Sequence, residues 1–226
     1  MSERWVIDPD VDAFIDERAS ALERYDSTRP PGHPYEFHLH SQRVANDVRA
    51  LALSMEFNEQ NAEFLHRLTL VHDIGKSAFP VGIWDMEDKP SDEIKAQRRA
   101  HTTEGVKIVD AYFGPDDRRP ALEVMRDMMA NHHECMDGSG WRGLHGCDLS
   151  LPVRILCVAD AFDGYSAARP HFGNRDLSVE AVLTRMTVEK KGQFDPEILA
   201  KFAEIKRKQP ASASTPRTRS PFNAVL

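Results

Sequence analysis

An all-α fold is predicted by three features of the sequence. Apolar residues recur at three- and four-residue intervals in one run after another. Helix-start signals, a capping residue or a first-turn proline, stand before most of those runs. No stretch of useful length alternates apolar and polar residues as a half-buried strand would, and no internal repeat is visible.

The elements follow in order. Asp8-Pro9 opens a first helix, which carries Val11, Phe14, Ile15 and Leu22 at helical spacing. Thr28-Arg29-Pro30-Pro31-Gly32-His33-Pro34 ends it as a linker too rich in proline for helix. A second helix is expected from Tyr35 to Met55, with Val44, Val48, Leu51 and Met55 on one stripe. Glu36 and His40 lie four apart and so share a face. A third helix is expected from Glu59 to Ile74, buried by Phe64, Leu65, Leu68 and Val71. It delivers His72 and Asp73, and Gly75 is expected to end it in a left-handed turn.

Residues 77–91 read as irregular, with Pro80, Gly82 and Pro90. Ser91-Asp92-Glu93 then starts a helix that carries His101 and runs to Phe113. Another is expected from Ala121 to Cys135, with Met125, Met128 and Met129 in the core, ending in Asn131-His132-His133-Glu134. The polar loop Asp137-Gly138-Ser139-Gly140-Trp141-Arg142-Gly143 follows. Pro152 opens an almost wholly apolar helix, Val153 to Tyr165, which should be central and buried. It contains Asp160 and Asp163, and a buried carboxylate is costly unless paired or metal-bound. Helices from Ser178 to Lys190 and from Pro196 to Lys206 close the domain.

Composition narrows the function classes. The chain has 226 residues, 41% hydrophobic and 29% charged, enough for one sizeable core with extensions. The expected organisation is an N-terminal helical extension (1–34), a catalytic domain (35–207) and a disordered tail rich in Pro, Ser, Thr and Arg (208–226). A net charge of −7 argues against binding a nucleic-acid polymer. No apolar run is long enough to span a membrane, and the first residues do not read as a secretory signal. Cys135, Cys147 and Cys157 cannot all pair and lack zinc-knuckle spacing, so reduced thiols and a cytoplasmic location are expected.

The chemistry is concentrated in Glu36, His40, His72, Asp73, His101, His132, His133 and Asp160. Each falls near a predicted helix end or on a buried helix. Five histidines with two or three carboxylates exceed the needs of one ion. They fit two divalent ions bridged by a carboxylate, or three. Mixed imidazole and carboxylate donors favour iron, manganese or zinc over calcium, and the lack of thiolate argues against structural zinc. Two ions about 3.5–4 Å apart suit phosphoryl displacement. Lys76 adds a compact positive charge where a phosphate would sit.

The elements His40-Ser41-x-Arg43-Val44-Ala45, His72-Asp73-Ile74-Gly75-Lys76, His101, His132-His133-Glu134-x-x-Asp137-Gly138-x-Gly140, Val158-Ala159-Asp160-x-Phe162-Asp163 and Phe194-Asp195-Pro196 resemble, in order and spacing, an HD-GYP domain. The resemblance implies an HD-superfamily helical bundle with a metal centre in its core. It implies a bacterial phosphodiesterase that linearises cyclic di-GMP to pGpG and on to GMP, with two or three iron or manganese ions. It assigns His40, His72, Asp73, His101, His132, His133 and Asp160 as metal ligands, with Asp73 bridging and catalytic. Glu36 stands where some members hold a third ion. Lys76 and Arg169 resemble phosphate contacts, Lys76 with a catalytic part.

Three departures qualify the substrate. The family's Gly-Tyr-Pro is here Gly140-Trp141-Arg142, so Trp141 keeps a ring at the rim but Arg142 loses proline's fixed φ. Phe172 stands where a basic residue is expected, and residues 1–34 read as too short for a sensor or receiver domain. Two alternatives therefore accompany the hydrolase. One is a nucleotide-binding or adaptor module with a signalling protein partner. The other is a di-iron oxygenase of the HD type.

Overall fold

The structure, a computed structural model, describes residues 4–30, 33, 35–86, 88–167 and 175–209. Among them it is all-helical apart from an isolated bridge between Asp137 and His145. The helices are α1 Pro9–Ser27, α2 Phe37–Ser54, α3 Glu59–Thr69, α4 Asp92–Arg99, α5 His101–Phe113, α6 Pro120–Asn131, α7 Leu151–Ser166, α8 Val179–Thr184 and α9 Pro196–Lys208. Arg169 and Phe172 lie outside the described residues, as does the expected tail beyond Gln209. None of the described helices is long and apolar enough to cross a membrane.

Side-chain caps start most of these helices. Asn58, Ser91, Ser150 and Ser178 each accept a backbone N–H from the first turn, and Asp195 accepts two. Asp8 occupies the cap position of α1 without that bond; Pro9 supplies the start.

α7 is the central helix, with Val153, Ile155, Leu156, Val158 and Ala159 wholly buried. α2, α6, α8 and α9 pack around it, and α3 and α5 form the next layer against α2 and α6. α1 belongs to the same core: its Val11, Phe14 and Ile15 are fully buried there. Met125, Met128 and Met129 are core residues too.

Four expected helices end or bend early. α3 stops at Thr69, and the chain tightens into three-residue turns through His72 and Asp73 to a 3₁₀ segment, Ile74–Ala78. Gly75 does not take a left-handed conformation. Its Cβ, if present, would lie 1.9 Å from the His101 carbonyl oxygen and 2.4 Å from the Gly105 nitrogen. Glycine is required here by close approach of two backbones, not by a turn.

The helix expected from Ser91 to Phe113 divides at Ala100. α4 buries no residue, whereas α5 buries His101, Thr102, Gly105 and Val109, so packing sets the bend. α6 ends at Asn131, before both of its histidines. The helix expected from Ser178 to Lys190 relaxes from α8 into a wider π-turn over Arg185–Glu189.

A buried polar network ties α1 to the rest. Arg29 donates to Asp26 Oδ1 at 2.7 Å and to Asp85 at 2.9 and 2.5 Å. Asp26 Oδ2 accepts both the His38 backbone N–H and its ring Nδ1, each at 2.8 Å. Burial alone would raise the Asp26 carboxyl, but these hydrogen bonds outweigh it and hold the group below its usual value. A carboxylate depressed in the folded state gives stability that is complete above its unfolded pKa and is lost as pH falls. Asp26→Asn is therefore expected to lower stability at pH 7 and to remove part of the acid sensitivity below about pH 4. Urea midpoints of both proteins across that range measure the difference.

Candidate metal centre

The site lies where the ends of α3 and α6 and the starts of α2 and α5 meet the middle of α7. Asp73 is at its centre, buried at 1% exposure, and its two oxygens face different groups. Oδ2 lies 3.4 Å from His40 Nε2 and 3.5 Å from His72 Nε2. Asp160 Oδ1 joins that side at 3.0 Å from His40 Nε2 and 3.8 Å from His72 Nε2. Oδ1 lies 3.1 Å from His101 Nε2 and 3.6 Å from His132 Nε2, and those two nitrogens are 3.2 Å apart. His133 Nδ1 stands 3.9 Å from Asp160 Oδ2, so Asp160 also faces both sides.

Local structure sets how each ring points. His72 Nδ1 meets the Thr69 carbonyl at 2.8 Å, His101 Nδ1 that of Arg98 at 2.5 Å and His132 Nδ1 that of Met129 at 2.9 Å. His40 Nδ1 meets Asp163 Oδ2 at 2.7 Å. With Nδ1 donating outward, the neutral form of each of these rings presents a bare Nε2 inward, the form a metal ligand takes. The short turns after α3 and α6 make this possible, because each histidine can reach back to a carbonyl three residues earlier.

The electrostatics suit cations. Burial would lower His40, but Asp160, Asp163 and Asp73 outweigh it and push the ring up to about 10. Burial is the main cause lowering His101 and, more strongly, His133, which favours neutral imidazoles. Asp73 and Asp160 stay well below the carboxylate range despite burial, Asp73 chiefly through Lys76 and His72, Asp160 through His40 and His72.

Donor sets within 4.8 Å of one another are His40, His72 and Asp160; His72, Asp73 and His132; and His101, His132 and His133. His72 Nε2 and Asp73 Oδ1 are buried and engaged in no hydrogen bond. Leaving such atoms unsatisfied costs about 1–3 kcal/mol each. Divalent ions among these donors would satisfy both, so the residues fit a metal pair.

Glu36 does not join them. It precedes α2 with its side chain exposed, and it is in none of the donor sets among the described residues. Its backbone, not its carboxylate, is engaged, accepting the His40 N–H at 2.9 Å. Lys76 Nζ does reach the centre, donating to Asp73 Oδ2 from between Phe37 and Trp84, 4.6 and 5.9 Å from their ring centroids.

Several supporting residues were not among the candidate ligands. Tyr35 donates to Asp163 Oδ2 at 3.0 Å and touches His40 Nδ1. Arg43 grips Asp163 at 2.7 and 3.2 Å. Asp163 is thus a brace for His40. Asp163→Asn is expected to weaken metal affinity about 10–100-fold, as loss of a partner behind a ligand generally does. Titration of the apo chain with manganese would measure it.

Glu134 braces the loop rather than His133: its carboxylate accepts the Arg142 and Leu144 N–H groups at 2.7 and 2.9 Å. That demand pulls residue 134 out of helix and ends α6 early. Gly140 passes so close that a Cβ would sit 2.5 Å from Glu134 Cα. Trp141 is 41% exposed, with its ring 4.0 Å from that of His133. Arg142, in place of the rigid proline, anchors its guanidinium on Asn131 Oδ1 at 2.7 Å. Lys76, Trp141, His133, Asp160, Tyr165 and Phe194 line the cleft over the centre.

The chain is similar to known proteins. The chain is 32% identical over 160 residues to the 3'3'-cGAMP-specific phosphodiesterase 1 of Vibrio cholerae, covering 70% of this chain and 35% of that one. It is 29% identical over 168 residues to a cyclic di-GMP phosphodiesterase of Pseudomonas aeruginosa, covering 74% and 38%. The chain thus spans little more than a third of the length of these curated relatives. In fold it is similar to an HDG"Y"P protein from Bdellovibrio bacteriovorus, with a TM-score of 0.61 at 20% identity, covering 87% of this chain and 60% of that one. The HD domain family model matches residues 38–165, the segment that supplies every histidine and aspartate of the cluster, and the chain belongs to the HD domain family.

Proposed function

We propose that this chain is a metal-dependent phosphoric diester hydrolase that opens cyclic dinucleotides, with cyclic di-GMP as substrate and pGpG and GMP as products. The observation that carries the reading is Asp73, whose two oxygens face two separate histidine groups. His40, His72, Asp73 and Asp160 would hold one ion, and Asp73, His101, His132 and His133 the other. The donor set favours iron or manganese. Bound there, such a pair supplies a nucleophile from water at neutral pH and positive charge opposite the phosphoryl oxygens.

The chain's own groups do the rest. Lys76 places an ammonium at the cleft, held by the faces of Phe37 and Trp84, where it meets a phosphate oxygen. Trp141 offers a flat ring at the rim. Arg169 is the second proposed phosphate contact. Glu36 is left out of the ligand set because its carboxylate is exposed, so two ions are proposed rather than three. Residues 35–207 form the catalytic unit, with α1 bracing it. The similarity to cyclic dinucleotide phosphodiesterases supports this substrate class; a place in bacterial cytoplasmic signalling, with a regulatory protein as partner, is part of the same proposal.

The test is direct. Chain purified without oxygen and loaded with iron or manganese should linearise cyclic di-GMP, read by mass spectrometry, and a chelator should stop it. No hydrolysis of any cyclic dinucleotide or simple phosphodiester under iron, manganese or zinc would overturn the reading. Tight nucleotide binding without turnover would select the adaptor alternative.

A further inference from the structure

Arg99 sits at the lip of the cleft, two residues before His101. It closes α4, a helix with no buried residue. Its side chain is exposed, and its guanidinium carbon lies 5.8 Å from the centroid of the Trp141 ring. Among the described residues that guanidinium has no hydrogen bond and no ion pair, in a chain of net charge −7 with acids to spare. Neighbouring arginines differ: Arg98 donates to the Ile83 carbonyl at 2.6 Å, and Arg142 to Asn131 at 2.7 Å.

Trp141 is the other half of the feature. It is one of the few large exposed apolar side chains of the described structure, and its ring also meets that of His101 edge-on at 5.8 Å. The loop carrying it is fixed from both ends. Glu134 takes the Arg142 and Leu144 N–H groups, while Asn131, bonded to Arg142, donates to Asp127 Oδ1 at 2.7 Å. Asp127 Oδ2 in turn accepts from Ser150 Oγ at 2.5 Å at the start of α7, the helix that carries Asp160. The indole is therefore held in register with the metal donors rather than hanging from a loose loop.

His133 packs against part of the indole, with ring centroids 4.0 Å apart. Arg99 lies over the ring at 5.8 Å, so a base that stacks on the indole displaces the guanidinium to the base's own edge, where its fork can read it. Any base stacks on an aromatic face. Two parallel guanidinium N–H groups match two adjacent acceptors, which guanine offers at O6 and N7. Adenine offers one acceptor and one donor on the same edge, so the fork discriminates against it. We propose that Arg99 is a specificity-determining residue, selecting a guanine that stacks against Trp141 while the phosphodiester lies at the metal centre. The proposal rests on the phosphodiesterase reading and adds which base the site prefers.

Metal-loaded chain is titrated calorimetrically with GMP and with AMP. The wild type is expected to bind GMP roughly tenfold tighter or more. Arg99→Ala and Arg99→Lys should both bring the ratio near one, because lysine keeps the charge but not the fork. Trp141→Ala should weaken GMP and AMP together. Arg99 is exposed on a helix that buries nothing, so its variants should keep wild-type circular dichroism. Equal binding in the wild type overturns the proposal. So does a preference that survives Arg99→Ala, a loss equal for both nucleotides in that variant, or unchanged binding in Trp141→Ala. Turnover of cyclic di-GMP and cyclic di-AMP is scored in the same preparations. GMP preference without turnover keeps the subsite and sinks the hydrolase; turnover without preference does the reverse.

Discussion

Asp73→Ala is expected to lower phosphodiester turnover by about 10³-fold or more and to reduce bound metal below two ions per chain, with helicity retained. The size follows from what is lost. Asp73 is the carboxylate whose Oδ2 faces His40 and His72 and whose Oδ1 faces His101 and His132. A bound metal contributes several kcal/mol of transition-state stabilisation, and each 1.36 kcal/mol is a factor of ten in rate. Asp73→Asn should fare little better, since an amide retains one neutral oxygen and cannot bridge two cations. The fold should persist because Lys76, the cation on Oδ2, is close enough to the surface to reach water. Metal analysis beside single-turnover kinetics decides the matter: full activity with wild-type metal content in Asp73→Ala would remove the proposed centre.

Gly75→Ala should be the most damaging of the alanine substitutions at the described glycines. The new Cβ would meet the His101 carbonyl oxygen at 1.9 Å and the Gly105 nitrogen at 2.4 Å, and neither is a side chain that can swing away. Ordinary overpacking costs about 1–3 kcal/mol. A clash with two backbone atoms belongs at the upper end or beyond. For a chain of this size about 3 kcal/mol lowers the melting temperature by roughly 6–12 °C. The displaced element is the start of α5, so His101 should leave Asp73 and metal affinity should fall with stability. Gly82→Ala, with nothing within 4 Å of the added carbon, and Gly105→Ala, whose nearest contact is Met129 Sδ at 3.4 Å, serve as mild controls. A Gly75→Ala protein melting like either control would show that the two backbones do not approach as described.

Much of this site is legible in the sequence because its ligands are short-range motifs. His72-Asp73 and His132-His133 announce themselves as adjacent pairs, and Asp160 as a carboxylate in an otherwise apolar helix. The helices are legible for a similar reason: caps and a 3.6-residue period are local properties. The supporting residues are not. Tyr35 has no spacing that marks it, since its role depends on α7 bringing Asp163 to it from 128 residues away. Arg142 reads as a lost proline until Asn131 is seen to hold its guanidinium. The early ends of α3 and α6 escape periodicity as well: past α3 the apolar pattern runs on through Leu70, Val71 and Ile74, and past α6 Glu134 is held by N–H groups eight and ten residues further on.

By itself the sequence determined that the chain is all-helical, that its core includes α7 and the methionines of α6, and which histidines and aspartates form the buried cluster. Tertiary structure alone decided that the two oxygens of Asp73 face separate histidine groups, that the Glu36 side chain is exposed away from the donor sets, that Gly75 answers a close contact rather than a turn, and that Arg99 stands over Trp141. The physical reason is range. Helix periods and caps are set by residues within a few positions of one another, whereas the orientation of a carboxylate or a free guanidinium is set by partners that only packing brings within a few ångströms.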